Sequence, residues 1–310
     1  MVDILMPTPI LESVEEAIER DFTLHRLWQA PDREAYLREN GPKIRGIGTF
    51  SGCDAALMDA CPNLEIISVF SVGYDNVDIA QAKTRGIRVT NTPSVLDDAV
   101  AEMGLALMLA LARRIPQGDA YVRAGRWISE GPAPFTAELT GATVGILGLG
   151  RIGKEFACLA QALKMRVVYH GRTEQPFQPY AYYADLEEMA RDVDWLVCIA
   201  PGGKATEGII SRAVMEALGP DGYLVNIGRG SSVDEPAMID LLQSGALGGA
   251  ALDVFADEPN VPEALFALDN VILAPHQASA THKTRWAMGD LVVRNLRAHF
   301  AGEPLITRVA

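Results

Sequence analysis

Cysteine is scarce in this 310-residue sequence. The four that occur, Cys53, Cys61, Cys158 and Cys198, form no CxxC pair and no Cys/His cluster at zinc-binding spacing. That excludes a disulfide framework and a structural zinc module, and no metal is expected. Isolated thiols fit a reducing compartment, so a cytoplasmic location is expected. Positive charge is also short: 27 Lys and Arg face 40 Asp and Glu, a formal net charge of -13. An acidic chain repels phosphate backbones and anionic lipid, so neither nucleic acid nor a membrane surface is an expected partner. Any anionic ligand must be met by a local cluster of donors. No apolar run reaches the ~18 residues that a membrane span needs. The most apolar stretch, residues 103–112, stops at Arg113 and Arg114. The opening segment, MVDILMPTPI, is too short in apolar length and too poor in positive charge for a signal peptide. Internal repeats and low-complexity tracts are absent as well.

What is present is a globular balance, 49% apolar and 22% charged residues, over a length that suggests about two domains. Short β-rich runs alternate with helical stretches, the pattern of α/β proteins with parallel sheets. Strands are predicted at residues 3–6, 44–47, 64–69 and 87–90, with helices at 11–20, 32–39, 53–60 and 77–84. A second series begins near residue 142. Its strands are predicted at 143–147, 166–169, 195–199, 223–226, 249–252 and 271–273, with helices at 151–163, 185–191, 212–217 and 235–243. Between the series runs a helical stretch, about 96–126, with a break expected at Pro116. A last helix, about 282–300, has no strand after it and must pack on something earlier. The expected fold class is therefore α/β, with two doubly wound parallel-sheet (Rossmann-like) domains. The first is discontinuous, 1–95 plus 285–310, and binds substrate; the second, 96–284, binds a dinucleotide.

Gly148-Leu149-Gly150-Arg151-Ile152-Gly153 ends a predicted strand and opens a predicted helix. In a G-x-G-x-x-G motif the first glycine permits a tight turn and the second lets backbone approach a pyrophosphate. The third lets helix pack on strand. The helix N-terminus then offers unpaired N–H groups to the phosphates. A lone motif is weak, but here strand, motif, helix and second strand arrive in order. The second strand runs into His170-Gly171-Arg172-Thr173, with no carboxylate until Glu174. A site for NAD usually places an acidic residue there for the ribose 2′-hydroxyl. Arg172 and Thr173 instead suit a 2′-phosphate, so NADP is the preferred cofactor and NAD a possible one.

Three further loops at predicted strand ends carry isolated polar residues, where doubly wound sheets bind ligands. They are Asn226-Ile227-Gly228-Arg229-Gly230, then Asp253 to Pro259, then Ala274-Pro275-His276-Gln277. Reducing a keto acid needs an anchor for the anion, a hydride donor and a proton. Arg229 can anchor an oxygen bidentately, and His276 is the candidate proton donor. Glu258 would orient its ring if the loop folds back. Each residue also has an ordinary structural reading, and their spacing alone does not bring them together.

On these residues the chain resembles the D-isomer-specific 2-hydroxyacid dehydrogenase family, in its glyoxylate/hydroxypyruvate reductase-like branch. The resemblance runs through Ser71-Val72-Gly73-Tyr74-Asp75-Asn76-Val77-Asp78, Thr90-Asn91-Thr92-Pro93, Leu139-Thr140-Gly141 and the glycine motif. It continues through Asn226 to Gly230, Asp253-Val254-Phe255, Glu258-Pro259 and Pro275-His276. It implies a catalytic triad of Arg229, Glu258 and His276, and a substrate carboxylate held by the amides around Val72 and Gly73. It further implies that Asp253 bonds the nicotinamide carboxamide and that the Ile199-Ala200-Pro201 loop lines the adenosine side, with Ile227 also at the cofactor. A homodimer through the cofactor domain and the long helix is implied, as is a D product. Two departures stand out: Gln277-Ala278 where the family often has glycine at the second position, expected to narrow the nicotinamide side, and Asp97 where threonine is common, expected to cost a minor contact.

The two-domain layout predicts cleft closure, with hinges near residues 91–96 and 275–284. Phe50, Trp286 and Met288 are candidates for a distal substrate pocket. Rival readings are a reductase of a larger 2-keto acid, of hydroxyphenylpyruvate or 2-ketogluconate type, and a non-catalytic dinucleotide-sensing protein of the same fold. A binding protein would have no need of the triad, and all three residue types are present.

Overall fold

The computed structural model describes all residues, 1–310. The chain divides into two compact units, Met1–Leu96 with Ser279–Ala310, and Asp97–Ala278. The second division falls at 278/279 rather than 284/285, because residues 279–281 lead directly into the last helix, whose contacts are with the first unit. No helix is long and apolar enough to cross a membrane.

The first unit is a five-stranded parallel sheet of order β2-β1-β3-β4-β5. Its strands are β1 (Asp3–Met6), β2 (Thr23–Arg26), β3 (Ile44–Thr49), β4 (Ile66–Val69) and β5 (Arg88–Thr90). Helices α1 (Glu12–Glu19), α2 (Arg33–Asn40), α3 (Ala55–Ala60) and α4 (Ile79–Thr84) connect them. The last helix, α12 (His282–Phe300), packs on α1 and β4. In β4 every side chain is buried, as befits a strand covered on both faces. β2 is the strand that the sequence does not announce: it is an edge strand, four residues long, and none of its residues is buried. Met288 lies on α12 with 1% exposure, among the buried core residues. Phe50 and Trp286 are exposed.

The second unit is a seven-stranded parallel sheet of order β12-β11-β10-β9-β6-β7-β8. The strands are β6 (Thr143–Leu147), β7 (Arg166–His170), β8 (Ala181–Tyr183), β9 (Trp195–Cys198), β10 (Tyr223–Asn226), β11 (Gly249–Leu252) and β12 (Val271–Leu273). Order reverses between β6 and β9, which makes that junction the switch point where such sheets take ligands. β8, three residues at the open edge, also goes unannounced by the sequence.

The helix expected to break at Pro116 breaks earlier. α5 (Asp97–Ala112) ends before Arg114, whose left-handed backbone (φ 48) turns the chain into α6 (Ile115–Arg123). Pro116 sits in the first turn of α6, where its missing N–H costs nothing. A short helix, α7 (Arg126–Glu130), follows. α5 packs on α8 (Arg151–Ala162), with Gly104 giving the close approach to Phe156 and Ile227. The remaining helices, α9 (Leu186–Arg191), α10 (Arg212–Leu218) and α11 (Glu235–Ser244), each start on a side-chain cap, from Asp185, Ser211 and Asp234.

Candidate active site

The candidate cofactor and triad residues all lie in the second unit, at or just beyond the C-terminal ends of β6, β7, β9, β10, β11 and β12. After β6, Gly148 takes φ 101, which a side chain rarely adopts, and a Cβ there would meet the Ala200 backbone at 3.0 Å. Gly153 faces the Gly148 carbonyl, 2.4 Å from where its own Cβ would stand. Gly150 has nothing within 4 Å on that side. The turn is therefore packed at its first and third glycines and open at the second, which is what a pyrophosphate requires of it. The α8 N-terminus has no side-chain cap, so its N–H groups remain available for an anion. Leu149 is buried and Ile152 half-buried, while Arg151 lies at the surface. Arg151 Nε is held 3.2 Å from the nearly buried Asp97 carboxylate. The departure at Asp97 thus does not merely lose a contact; it gains an ion pair with the motif arginine. These residues fit a dinucleotide.

β7 extends one residue further than expected, to His170, so Gly171, Arg172 and Thr173 follow it at once. Arg172 and Thr173 are exposed. Ala200 and Pro201 follow β9, and Ala200 O lies 2.8 Å from a Cβ placed on Gly228. The β10 loop is closed by Asn226, which sequence reasoning passed over. Its buried side chain accepts from Gly228 N–H (3.0 Å) and donates to the Arg229 carbonyl (2.9 Å). Arg229 Nη1 donates to the Gly228 carbonyl at 2.8 Å.

Glu258 does fold back onto His276. Its Oε2 lies 2.6 Å from His276 Nδ1, and its Oε1 accepts from Phe255 N–H at 3.1 Å. Burial pushes the Glu258 carboxyl up, but the His276 and Phe255 bonds and the charges of His276 and Arg229 outweigh burial and hold it below the usual value. Arg229 is thus electrostatically coupled to the Glu258–His276 pair. His276 has a left-handed backbone (φ 47), a costly conformation for a side chain of this size. Its N–H donates to the Asp253 carbonyl at 2.8 Å. The fully buried Asp253 carboxylate accepts from Gln277 N–H (2.8 Å) and Ala278 N–H (2.9 Å). Burial raises its pKa against those two bonds. Asp253 therefore clamps the loop that carries His276, and Ala278 is a buried member of that clamp.

In the first unit, Val72 and Gly73 follow β4. The carbonyls around them are tied down: Ser71 O accepts from Thr92 N–H (2.9 Å), Val72 O from Asn91 (2.8 Å), and Gly73 O from the Ser71 hydroxyl. The Val72 and Gly73 amides donate to no protein acceptor. All four cysteines are free thiols, and burial pushes Cys53 up to about 12 and Cys61 and Cys198 up to about 11, so these three are chemically quiet.

A dinucleotide turn at the switch point of a parallel sheet, with an imidazole–carboxylate pair beside an arginine on the same rim, defines a nicotinamide-dependent oxidoreductase. The comparisons agree. The family model for the D-isomer specific 2-hydroxyacid dehydrogenase NAD binding domain matches residues 105–278. The chain is similar to glyoxylate/hydroxypyruvate reductase A HPR2 of Arabidopsis thaliana, at 46% identity over 99% of both proteins. It is equally similar to hydroxyphenylpyruvate reductase of Plectranthus scutellarioides, at 46% identity over 99% of both. A solved NADPH-dependent glyoxylate/hydroxypyruvate reductase from Sinorhizobium meliloti, in complex with NADP and malonate, has a TM-score of 0.93 at 43% identity, covering 99% of this chain and 96% of that one. The chain belongs to the D-isomer-specific 2-hydroxyacid dehydrogenase family.

Proposed function

We propose that this protein reduces a small 2-keto acid, of glyoxylate or hydroxypyruvate type, to the D-2-hydroxy acid, with NADPH preferred over NADH. The observation that carries the reading is the 2.6 Å contact of His276 Nδ1 with Glu258. With Nδ1 so engaged, Nε2 is the ring nitrogen left to deliver a proton. The bound nicotinamide supplies the hydride. Gly148, Leu149, Gly150, Arg151, Ile152 and Gly153 hold the pyrophosphate, Arg172 and Thr173 the 2′-phosphate. Ala200 and Pro201 line the adenosine side, and Ile227 and Asp253 the nicotinamide side. The Val72 and Gly73 amides take the substrate carboxylate, and Arg229 draws charge onto the keto oxygen. His276 protonates that oxygen, while Glu258 stays ionised and stabilises the imidazolium. The protein acts as a cytoplasmic homodimer. Supporting the dimer, Ile115, Val122, Trp127, Ile128 and Phe135 are all exposed along α6, α7 and the segment after them.

The test is NADPH oxidation with glyoxylate and with hydroxypyruvate. His276→Ala is expected to lower turnover by ~10²–10⁴ with NADPH binding retained; unchanged turnover removes His276 from the mechanism. A second reading, a larger 2-keto acid, is favoured by the relative named hydroxyphenylpyruvate reductase, which is as similar as the first. kcat/KM across glyoxylate, hydroxypyruvate and 4-hydroxyphenylpyruvate decides between them.

A further inference from the structure

The loop after β7 is tied at both ends. Tyr182 Oη donates to the Gly171 carbonyl at 3.1 Å, and Gln175 N–H donates to Tyr169 Oη at 2.8 Å. The two tyrosine rings pack together at 5.3 Å, and Tyr169 is almost fully buried. Between the ties, Arg172, Thr173 and Glu174 are exposed and make no side-chain hydrogen bond or ion pair. The Gln175 side chain then leaves the loop. Its Nε2 donates to the Leu149 carbonyl, inside the glycine turn, at 2.6 Å.

That bond has a geometric consequence. A trans peptide holds its N–H opposite its C=O. Fixing the Leu149 carbonyl toward Gln175 therefore directs the Gly150 N–H the other way. That N–H donates to no protein acceptor, and the Cβ side of Gly150 is open. Without the bond the 149–150 peptide is free to flip and turn a carbonyl toward an incoming phosphate. The amide of Gln175 is also uncharged, so it braces the turn without adding repulsion.

We propose that Gln175 is a positioning residue that locks the pyrophosphate turn to the Arg172–Thr173 loop and thereby sets the preference for NADPH over NADH. This rests on the reading of Arg172 and Thr173 as the 2′-phosphate contacts. Both cofactors use the turn, but only NADPH uses the loop, so loss of the tie weakens NADPH more.

The experiment measures dissociation constants of NADPH and NADH by fluorescence titration, without substrate, for the native protein, Gln175→Met and Arg172→Ala. Methionine keeps length and lacks the donor. Gln175→Met is expected to weaken NADPH about tenfold and NADH about threefold, the size of one lost hydrogen bond on each count. The selectivity ratio then falls about threefold, with the thermal midpoint unchanged. Arg172→Ala is expected to lower the ratio further. If Arg172→Ala lowers the ratio and Gln175→Met leaves it unchanged, the role of Gln175 is overturned while the 2′-phosphate reading stands. If Arg172→Ala leaves the ratio unchanged, the 2′-phosphate reading falls, and the selectivity role of Gln175 with it.

Discussion

Gly230 lies directly on the backbone of Phe255: a Cβ at 230 would stand 1.9 Å from the Phe255 carbonyl carbon and oxygen. The loop after β10, which carries Arg229, is thereby pressed onto the loop after β11, which leads to Glu258. Backbone cannot move aside as a flexible side chain can. Gly230→Ala is expected to cost about 3 kcal/mol of stability, at the upper end for overpacking, and to abolish most turnover. Urea unfolding and kcat on the same preparation check this, and a stable, active variant would refute the contact.

The glycine turn allows a contrast between two positions three residues apart. Gly150 has an ordinary φ of -78 and open space where a Cβ would go. Gly150→Ala should fold with an unchanged thermal midpoint yet bind NADPH about tenfold more weakly, because its methyl occupies the phosphate side. Gly153→Ala would put a Cβ 2.4 Å from the Gly148 carbonyl oxygen and should lose stability and cofactor binding together. Calorimetry beside a binding titration separates the two, and equal behaviour would remove the assigned roles.

Replacing the partner of the proposed proton donor tests the pair directly. Glu258 Oε2 lies 2.6 Å from His276 Nδ1, and Glu258→Gln puts a neutral amide in place of the carboxylate at that contact. kcat for keto-acid reduction is expected to fall about tenfold or more. NADPH affinity should hold. An unchanged kcat would remove Glu258 from the mechanism.

Stability should fall on the acid side of neutrality for a reason lodged in the first unit. His299 sits near the end of α12, against Glu65, Arg45, Arg88 and Phe300. Burial lowers its pKa, and the nearby Glu65 only partly opposes this. Its Nδ1 is buried without a partner. A depressed folded pKa means that the unfolded chain binds the proton more readily. The contribution is whole above the usual histidine value of about 6.5 and is lost as pH falls through the folded value. Glu65, held low chiefly by Arg45, loses its own contribution only further down, below the ordinary carboxylate range. In His299→Gln the loss of thermal stability between about pH 7 and pH 5 should shrink. An identical pH profile would assign the loss elsewhere.

The proposed dimer makes a prediction at α7. Ile128 is 96% exposed, and Trp127 beside it is 62% exposed. Ile128→Glu should convert a dimer to a monomer in sedimentation velocity without unfolding it, since this side chain packs on nothing within its own unit. A native protein that sediments as a monomer would end the proposal.

The sheets were legible because buried parallel strands read as apolar runs, unbroken in Trp195–Cys198 and interrupted only by Ser68 in Ile66–Val69. The edge strands β2 and β8 were not, because a half-covered strand of three or four residues has no such run. The glycine motif, Arg229, Glu258 and His276 could be read as chemistry, but only the fold brings Glu258 to His276. Asn226 had a faint signal, an asparagine at a strand end before Gly-Arg-Gly, of the kind that closes its own loop. Gln175 had none: a half-exposed glutamine in a loop says nothing until its amide is seen on the Leu149 carbonyl. The helix break fell before Pro116 rather than at it, since proline is as much at home opening a helix as ending one.

The route of the polypeptide fixes an order of maturation on the ribosome. α12 supplies Leu291, Val292 and Leu296 to burial and accepts a hydrogen bond from Ser68 through its Val292 carbonyl. Residues 308–310 lie antiparallel alongside β5, with Thr90 bridged to Arg308. Residues 1–96 therefore emerge before the intervening 97–278 unit and are completed after it, with apolar surface uncovered while that unit is translated. A nascent chain stalled before residue 282 would carry a finished dinucleotide-binding unit and an unfinished N-terminal one, the stage at which a chaperone has most to hold.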